Sequence, residues 1–139
     1  MQFAQRPDVH SCLVFPRLFE EAAELIVSTE FYFSRRAEIL DQLTDYHSRR
    51  LFTNEMHRIT TRIACMLNWL SAQRAVLSGQ MELEDALRQY PLDGESLCRA
   101  KNRRAEDILP SEMKELLEYS RLLYERIYRL DRQAAANLN

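Results

Sequence analysis

Phe52, Met56, Ile59, Ile63, Met66, Leu70, Gln73 and Leu77 recur at alternating steps of four and three along the middle of the chain. That rhythm keeps one seam on one face of an α-helix. It predicts a rod of about 28 residues, roughly 40 Å long at the helical rise. Ala64, Cys65, Leu67 and Trp69 add apolar side chains outside the seam, so this helix must be covered on more than one side. Gly79 follows the last seam residue, where a left-handed cap ends a helix.

Two further seams flank it. Leu18, Ala22, Leu25, Thr29 and Phe33 step by three and four behind Pro16, a residue suited to a first helical turn, and predict a helix over 16–34. Met113, Leu116, Ser120, Leu123, Ile127, Leu130 and Ala134 do the same after Pro110-Ser111. Between the first two seams, Ile39, Leu43 and Tyr46 either continue the first helix or form a second short one. Residues 82–90 read as a short helix with Glu82, Glu84 and Asp85 at its N-terminal end, where the dipole favours negative charge, and Pro91 closes it. Residues 92–109 read as an irregular connection.

The pattern therefore predicts an all-α fold, a three-helix antiparallel bundle with a short extra helix in the second connection. The bundle occupies 16–134, residues 1–15 form a partly flexible segment, and 135–139 a fraying tail. The surplus apolar circumference of the middle helix is covered either by the other two helices or by a second copy, a homodimer.

Composition narrows this reading. In 139 residues there are only 2 glycines and 4 prolines, too few for the turns of an all-β fold, and 46% hydrophobic with 29% charged residues suits a folded domain. The net charge of -2 speaks against a protein that coats polyphosphate. All the basic residues are Arg except Lys101 and Lys114. Cys12, Cys65 and Cys98 form no Cys-x-x-Cys pair, so neither a disulfide framework nor a zinc cluster is indicated. With no signal-like or membrane-length apolar run, the sequence predicts a soluble cytoplasmic protein.

Catalytic patterns fail. A di-iron bundle needs Glu-x-x-His, yet Pro7, Thr44 and Asn54 stand three residues before His10, His47 and His57. His57 and Cys65 lie too far apart along a helix to share a metal ion. No phosphate loop, dinucleotide fingerprint or serine elbow occurs. The expectation is a non-enzyme without metal or cofactor.

Charge is uneven in the second connection. Over 80–98, Arg88 faces Glu82, Glu84, Asp85, Asp93 and Glu95, whereas 99–104 holds Arg99, Lys101, Arg103 and Arg104 and no acid. The two blocks are a candidate partner surface, although charge runs more often simply face water. A DNA-reading helix over 82–90 would turn its acids on the phosphates. Tyr119, Tyr124 and Tyr128, with Arg121, Arg126 and Arg129, offer interface anchors or ordinary core edges on the last helix.

Two blocks carry a family resemblance. Residues 59–81 hold Thr60-Thr61-Arg62-Ile63, Trp69-Leu70 and Gln73-Arg74-Ala75-Val76 followed by Gly79. Residues 120–131 hold Ser120, Leu123, Arg126, Ile127, Leu130 and Asp131 in order. Together they resemble the alphaproteobacterial RcdA family, regulators of CtrA degradation. The resemblance implies a dimeric helical bundle without catalysis, an adaptor for the ClpXP protease. Its implied partners are the ClpX unfoldase with a CpdR-like response regulator, a PopA-like cyclic-di-GMP effector and cell-cycle substrates such as CtrA, met in the cytoplasm and at the cell pole. The rival expectation is a nucleic-acid-associated regulator that uses the basic group from Arg99 to Arg104.

Overall fold

The computed structural model describes residues 9–138, with side chains from 16 onward except that of residue 106. Of the segment 1–15 expected to be partly flexible, residues 1–8 lie outside that range and the backbone of 9–15 is helical. Every regular element among the described residues is helical: α1 (Val9–Phe33), α2 (Arg36–Gln42), α3 (Tyr46–Leu77), α4 (Leu83–Gln89), α5 (Glu95–Cys98), α6 (Arg103–Ile108) and α7 (Ser111–Asn137).

Several boundaries differ from those predicted. α1 starts at Val9, so Pro16 lies inside the helix rather than at its first turn. Lacking an N–H, Pro16 removes one rung of the hydrogen-bond ladder without ending the helix. The ambiguous stretch after α1 is a separate helix, α2, and a new start then follows at Asp45. The Asp45 carboxylate accepts from the Ser48 N–H at 3.0 Å and from the Ser48 hydroxyl at 2.6 Å, satisfying donors that a helix N-terminus leaves open. The connection predicted as irregular contains α5 and α6, and α7 runs through the alanine-rich stretch expected to fray.

α3 ends in a Schellman motif. The Gly79 N–H bonds the Val76 carbonyl at 3.1 Å and the Gln80 N–H bonds the Ala75 carbonyl at 2.9 Å, with Gly79 at φ +79°. This is the ending that the sequence predicted.

The three long helices pack on one another, but not all antiparallel. Phe19 lies by Arg74 and Tyr32 by Phe52, so α1 runs against α3. Glu21 meets Arg126 and Arg35 meets Glu112, so α1 also runs against α7. Arg62 meets Ser120 and Trp69 meets Asp131, so α3 and α7 run parallel. The antiparallel bundle of the sequence reading is thereby corrected. A parallel pair needs a crossover as long as the helix it retraces, and residues 78–110 supply it, with α4, α5 and α6 each packed on α3.

The surplus apolar side of α3 is covered only in part, since Ala64 and Leu67 stay exposed. Cys65 is half-buried, and Trp69 and Met66 are buried. The core includes Leu18, Leu25, Phe52, Ile59, Leu70 and Ile127. Polar seam members Thr29, Gln73 and Ser120 are buried as the rhythm predicts. Large apolar side chains stay exposed on all three long helices, among them Tyr46 on α3, Val27 and Phe31 on α1, and Leu122 on α7.

Candidate functional site

The four basic residues Arg99, Lys101, Arg103 and Arg104 do not form one patch. Arg99, just beyond α5, turns back onto the bundle: it donates to Glu125 at 2.7 Å and to Glu95 at 3.3 Å, and sits 4.2 Å from the centre of the Tyr128 ring. Glu95 also accepts from the Tyr128 hydroxyl at 2.8 Å and from Arg132 at 3.0 Å. The Tyr128 bond, followed by the two guanidinium groups, holds the Glu95 carboxyl below its usual pKa against the opposing effect of burial. Arg103 and Arg104 are exposed on α6, whose N-terminus Asn102 caps through the Arg104 N–H.

Lys101 points the other way, toward Glu118 at 3.9 Å. The acidic end of α4 is partly neutralised within its own helix, because Arg88 pairs with Asp85 at 2.6 Å and with Glu84 at 4.0 Å. Glu82 is the exposed N-cap residue of α4 and makes no side-chain cap bond.

The residues of the first resembling block divide by helix face. Thr60 and Thr61 bond back to the carbonyls of Met56 and His57 at 3.0 and 2.9 Å, and Arg74 lies outward over Phe19. Arg62, Trp69 and Gln73 face inward and are buried. They hold the bundle together rather than offering a surface. The Arg62 guanidinium donates to the carbonyls of Cys98, Ala100 and Leu117 and to the Ser120 hydroxyl, at 2.8, 3.1, 3.0 and 3.0 Å. It ties α3 to both the crossover and α7. Arg58, one turn earlier, adds bonds to the carbonyls of Leu97 and Ala100.

No carboxylate lies within ion-pair distance of Arg62 among the described side chains. Burial first, and then repulsion from Arg58, lowers its pKa to about 10. Arg62 forms part of a cavity of about 410 Å³ shared with Glu55, Arg58, Lys101, Asn102, Lys114, Leu117, Glu118 and Arg121. Sequence reasoning missed this cavity because its residues come from α3, the crossover and α7. One signal was available: Arg62 lies three residues after Ile59 and four before Met66, on the inward face.

Cys65 and Cys98 come together across the α3–α5 contact, where both sulfurs lie 3.1 Å from the place a Cβ on Gly94 would take. Burial is the main reason both thiols titrate above their ordinary range, Cys98 at about 11, which keeps them protonated and unreactive. Among the described residues no group of three or more His, Cys, Asp or Glu side chains is arranged to hold a metal ion, and no helix is long and apolar enough to cross a membrane.

A parallel α3–α7 pair, an antiparallel α1 and a crossover pinned by a buried arginine define an all-α bundle protein. The chain belongs to the family described as "Protein of unknown function (DUF1465)", whose model matches residues 7–138. No curated protein matches the chain, and no solved structure does.

Proposed function

We propose that this protein is a non-enzymatic adaptor of the RcdA kind, which promotes ClpXP proteolysis of cell-cycle regulators such as CtrA. The observation that carries the reading is that the two resembling blocks interlock with each other. Arg62 of the first bonds Ser120 of the second, and Trp69 of the first bonds Asp131 of the second. The matching residues thus make the joints of one scaffold, which supports a shared architecture more strongly than matching surface residues would.

In this reading the bundle is a rigid platform and the work is done by its outer faces, at the cell pole where the unfoldase meets its CpdR-like response regulator and PopA-like effector. The platform is a homodimer through the α1–α7 face, where Phe31 and Tyr119 flank a groove. One end of that face carries Glu24, Glu112 and Glu115, and the other Arg121, Arg126 and Arg129 together with Glu125 and with Glu21, which pairs with Arg126. A two-fold axis between the ends brings acid against base while covering the apolar middle.

Adding the purified protein with its cognate response regulator to ClpXP should accelerate degradation of a cell-cycle substrate. An unchanged rate across saturating concentrations removes the proposal. The nucleic-acid reading has less support, since Arg99 is engaged with Glu95 and Glu125. It requires a salt-sensitive DNA shift that the adaptor reading does not.

A further inference from the structure

α7 carries a second stripe with the rhythm of the first. Its inward seam, from Met113 to Leu130, packs the bundle. One residue before each seam position stand Glu112, Glu115, Tyr119, Leu122, Arg126 and Arg129, stepping by three, four, three, four and three. That spacing holds them on one side of the helix, along roughly 26 Å of its length. All are exposed except Arg126, which is half-buried.

The order of side chains along this stripe selects its partner. Two acids stand at the N-terminal end, two bases at the C-terminal end, and Tyr119 and Leu122 between them. Read backwards, the stripe has the opposite sign at every charged position. A parallel copy would lay acid on acid and base on base, whereas an antiparallel copy lays each charge on its opposite. Pairing within the chain engages only part of the stripe. At the α1 edge Arg35 meets Glu112 and Glu21 meets Arg126, while Glu115 and Arg129 make no ion pair among the described side chains. On the other flank, Glu118 and Glu125 are held by Arg121 and Arg99 of their own copy.

We propose that α7 pairs antiparallel with α7 of a second copy, about a two-fold axis level with Ser120 and Arg121. This sets Glu112 against Arg129, Glu115 against Arg126 and Tyr119 against Leu122 of the other copy. Each contact occurs twice by symmetry. Phe31 of α1, 69% exposed, lines the groove beside the acidic end and is covered by the incoming helix. The register rests on the homodimer reading above and adds to it the helix at the centre of the interface and the residues that meet there.

Sedimentation of the full chain tests the register through charge reversal. Glu115→Arg and Arg126→Glu should each weaken self-association at least about tenfold, since each creates two like-charge contacts, and both in one chain should restore it to within about threefold of the parent. Glu112→Arg with Arg129→Glu should behave in the same way. Glu112→Arg with Arg126→Glu preserves net charge equally well but mismatches the register, and should restore nothing. Glu115→Arg breaks no ion pair within the chain, so its loss reads association rather than folding. A monomeric parent at high concentration would overturn the homodimer reading and the register together. A dimeric parent that tolerates Glu115→Arg, in which neither matched pair recovers, or whose mismatched pair recovers as well as the matched ones, would keep the homodimer and overturn the register alone.

Discussion

The indole Nε1–H of Trp69 donates to Asp131 Oδ1 at 2.8 Å, joining two buried side chains 62 positions apart in the chain. This bond holds the C-terminal half of α3 beside the C-terminal half of α7, and with the Arg62–Ser120 contact it sets the parallel register of the pair. Trp69→Phe keeps most of the apolar bulk but leaves a buried carboxylate without its donor, a loss of about 1–3 kcal/mol. Urea denaturation should show the loss, and pairing it with Asp131→Leu should recover part of it. Additive losses from the two substitutions would show that the bond contributes nothing to stability.

Arg62 is the second joint, and its geometry rather than its charge is what matters. Arg62→Lys retains the cation but cannot reach acceptors on the crossover and α7 together. About 3 kcal/mol of stability should be lost, because buried carbonyls are left unpaired. Hydrogen exchange should show the amides of Cys98 and Arg99, bonded to Gly94 and Glu95, opening before those of α3. Uniform loosening of the whole bundle would contradict a local role.

Gly94 and Gly79 separate backbone strain from crowding. Both have positive φ, +77° and +79°, but a Cβ on Gly94 would stand 3.1 Å from the sulfurs of Cys65 and Cys98, whereas one on Gly79 meets nothing within 4 Å. Gly79→Ala should cost roughly 1–2 kcal/mol for the left-handed backbone alone. Gly94→Ala should cost more, and the Cys65→Ala background should reduce the excess. Equal melting temperatures for the two single variants would show that the sulfurs yield freely.

Acid should weaken the fold through identifiable carboxylates. Hydrogen bonds from Ser48 hold the Asp45 carboxyl below its ordinary 3.8, and bonds from Tyr128 and Arg121 hold Glu95 and Glu118 below 4.5. A depressed folded pKa contributes stability that is fully present above the unfolded pKa and is lost as pH falls through the folded one. The melting temperature should therefore decline below about pH 4.5. Asp45→Asn keeps an oxygen acceptor but cannot ionise, so it should shallow that decline. An acid limb identical to the parent's would exclude the Asp45 contribution.

The proposed dimer makes a prediction of its own. Phe31 is 69% exposed and does little for the fold of one copy. Phe31→Glu adds a charge beside Glu112 and Glu115, and should weaken self-association about a hundredfold or more by sedimentation, with the monomer's melt little changed. A monomeric parent at high concentration would remove the α1–α7 face from consideration as a dimer interface.

Much of the fold is legible from local chemistry. The three seams, the glycine cap after α3 and the short α4 each depend on residues within a few turns of one another, which is the range over which periodicity and capping act. Even the polar seam members Thr29, Gln73 and Ser120 follow the rhythm into the interior. Pro16 misled the placement of α1 because a missing N–H suits both a first turn and a tolerated interior gap, and local sequence does not distinguish them.

What the chain pattern by itself determined is which faces turn inward and that the protein is all-α, since helical period and hydrophobic burial are properties of neighbouring residues. Only the tertiary structure decided that α3 and α7 lie parallel, that the crossover packs on α3 while Ala64 and Leu67 stay exposed, and that Arg99 and Lys101 part company. Those outcomes depend on contacts such as Arg62–Cys98 and Arg99–Glu125, whose members come from different elements. No period or motif within one element encodes which distant group will share a guanidinium's five donors.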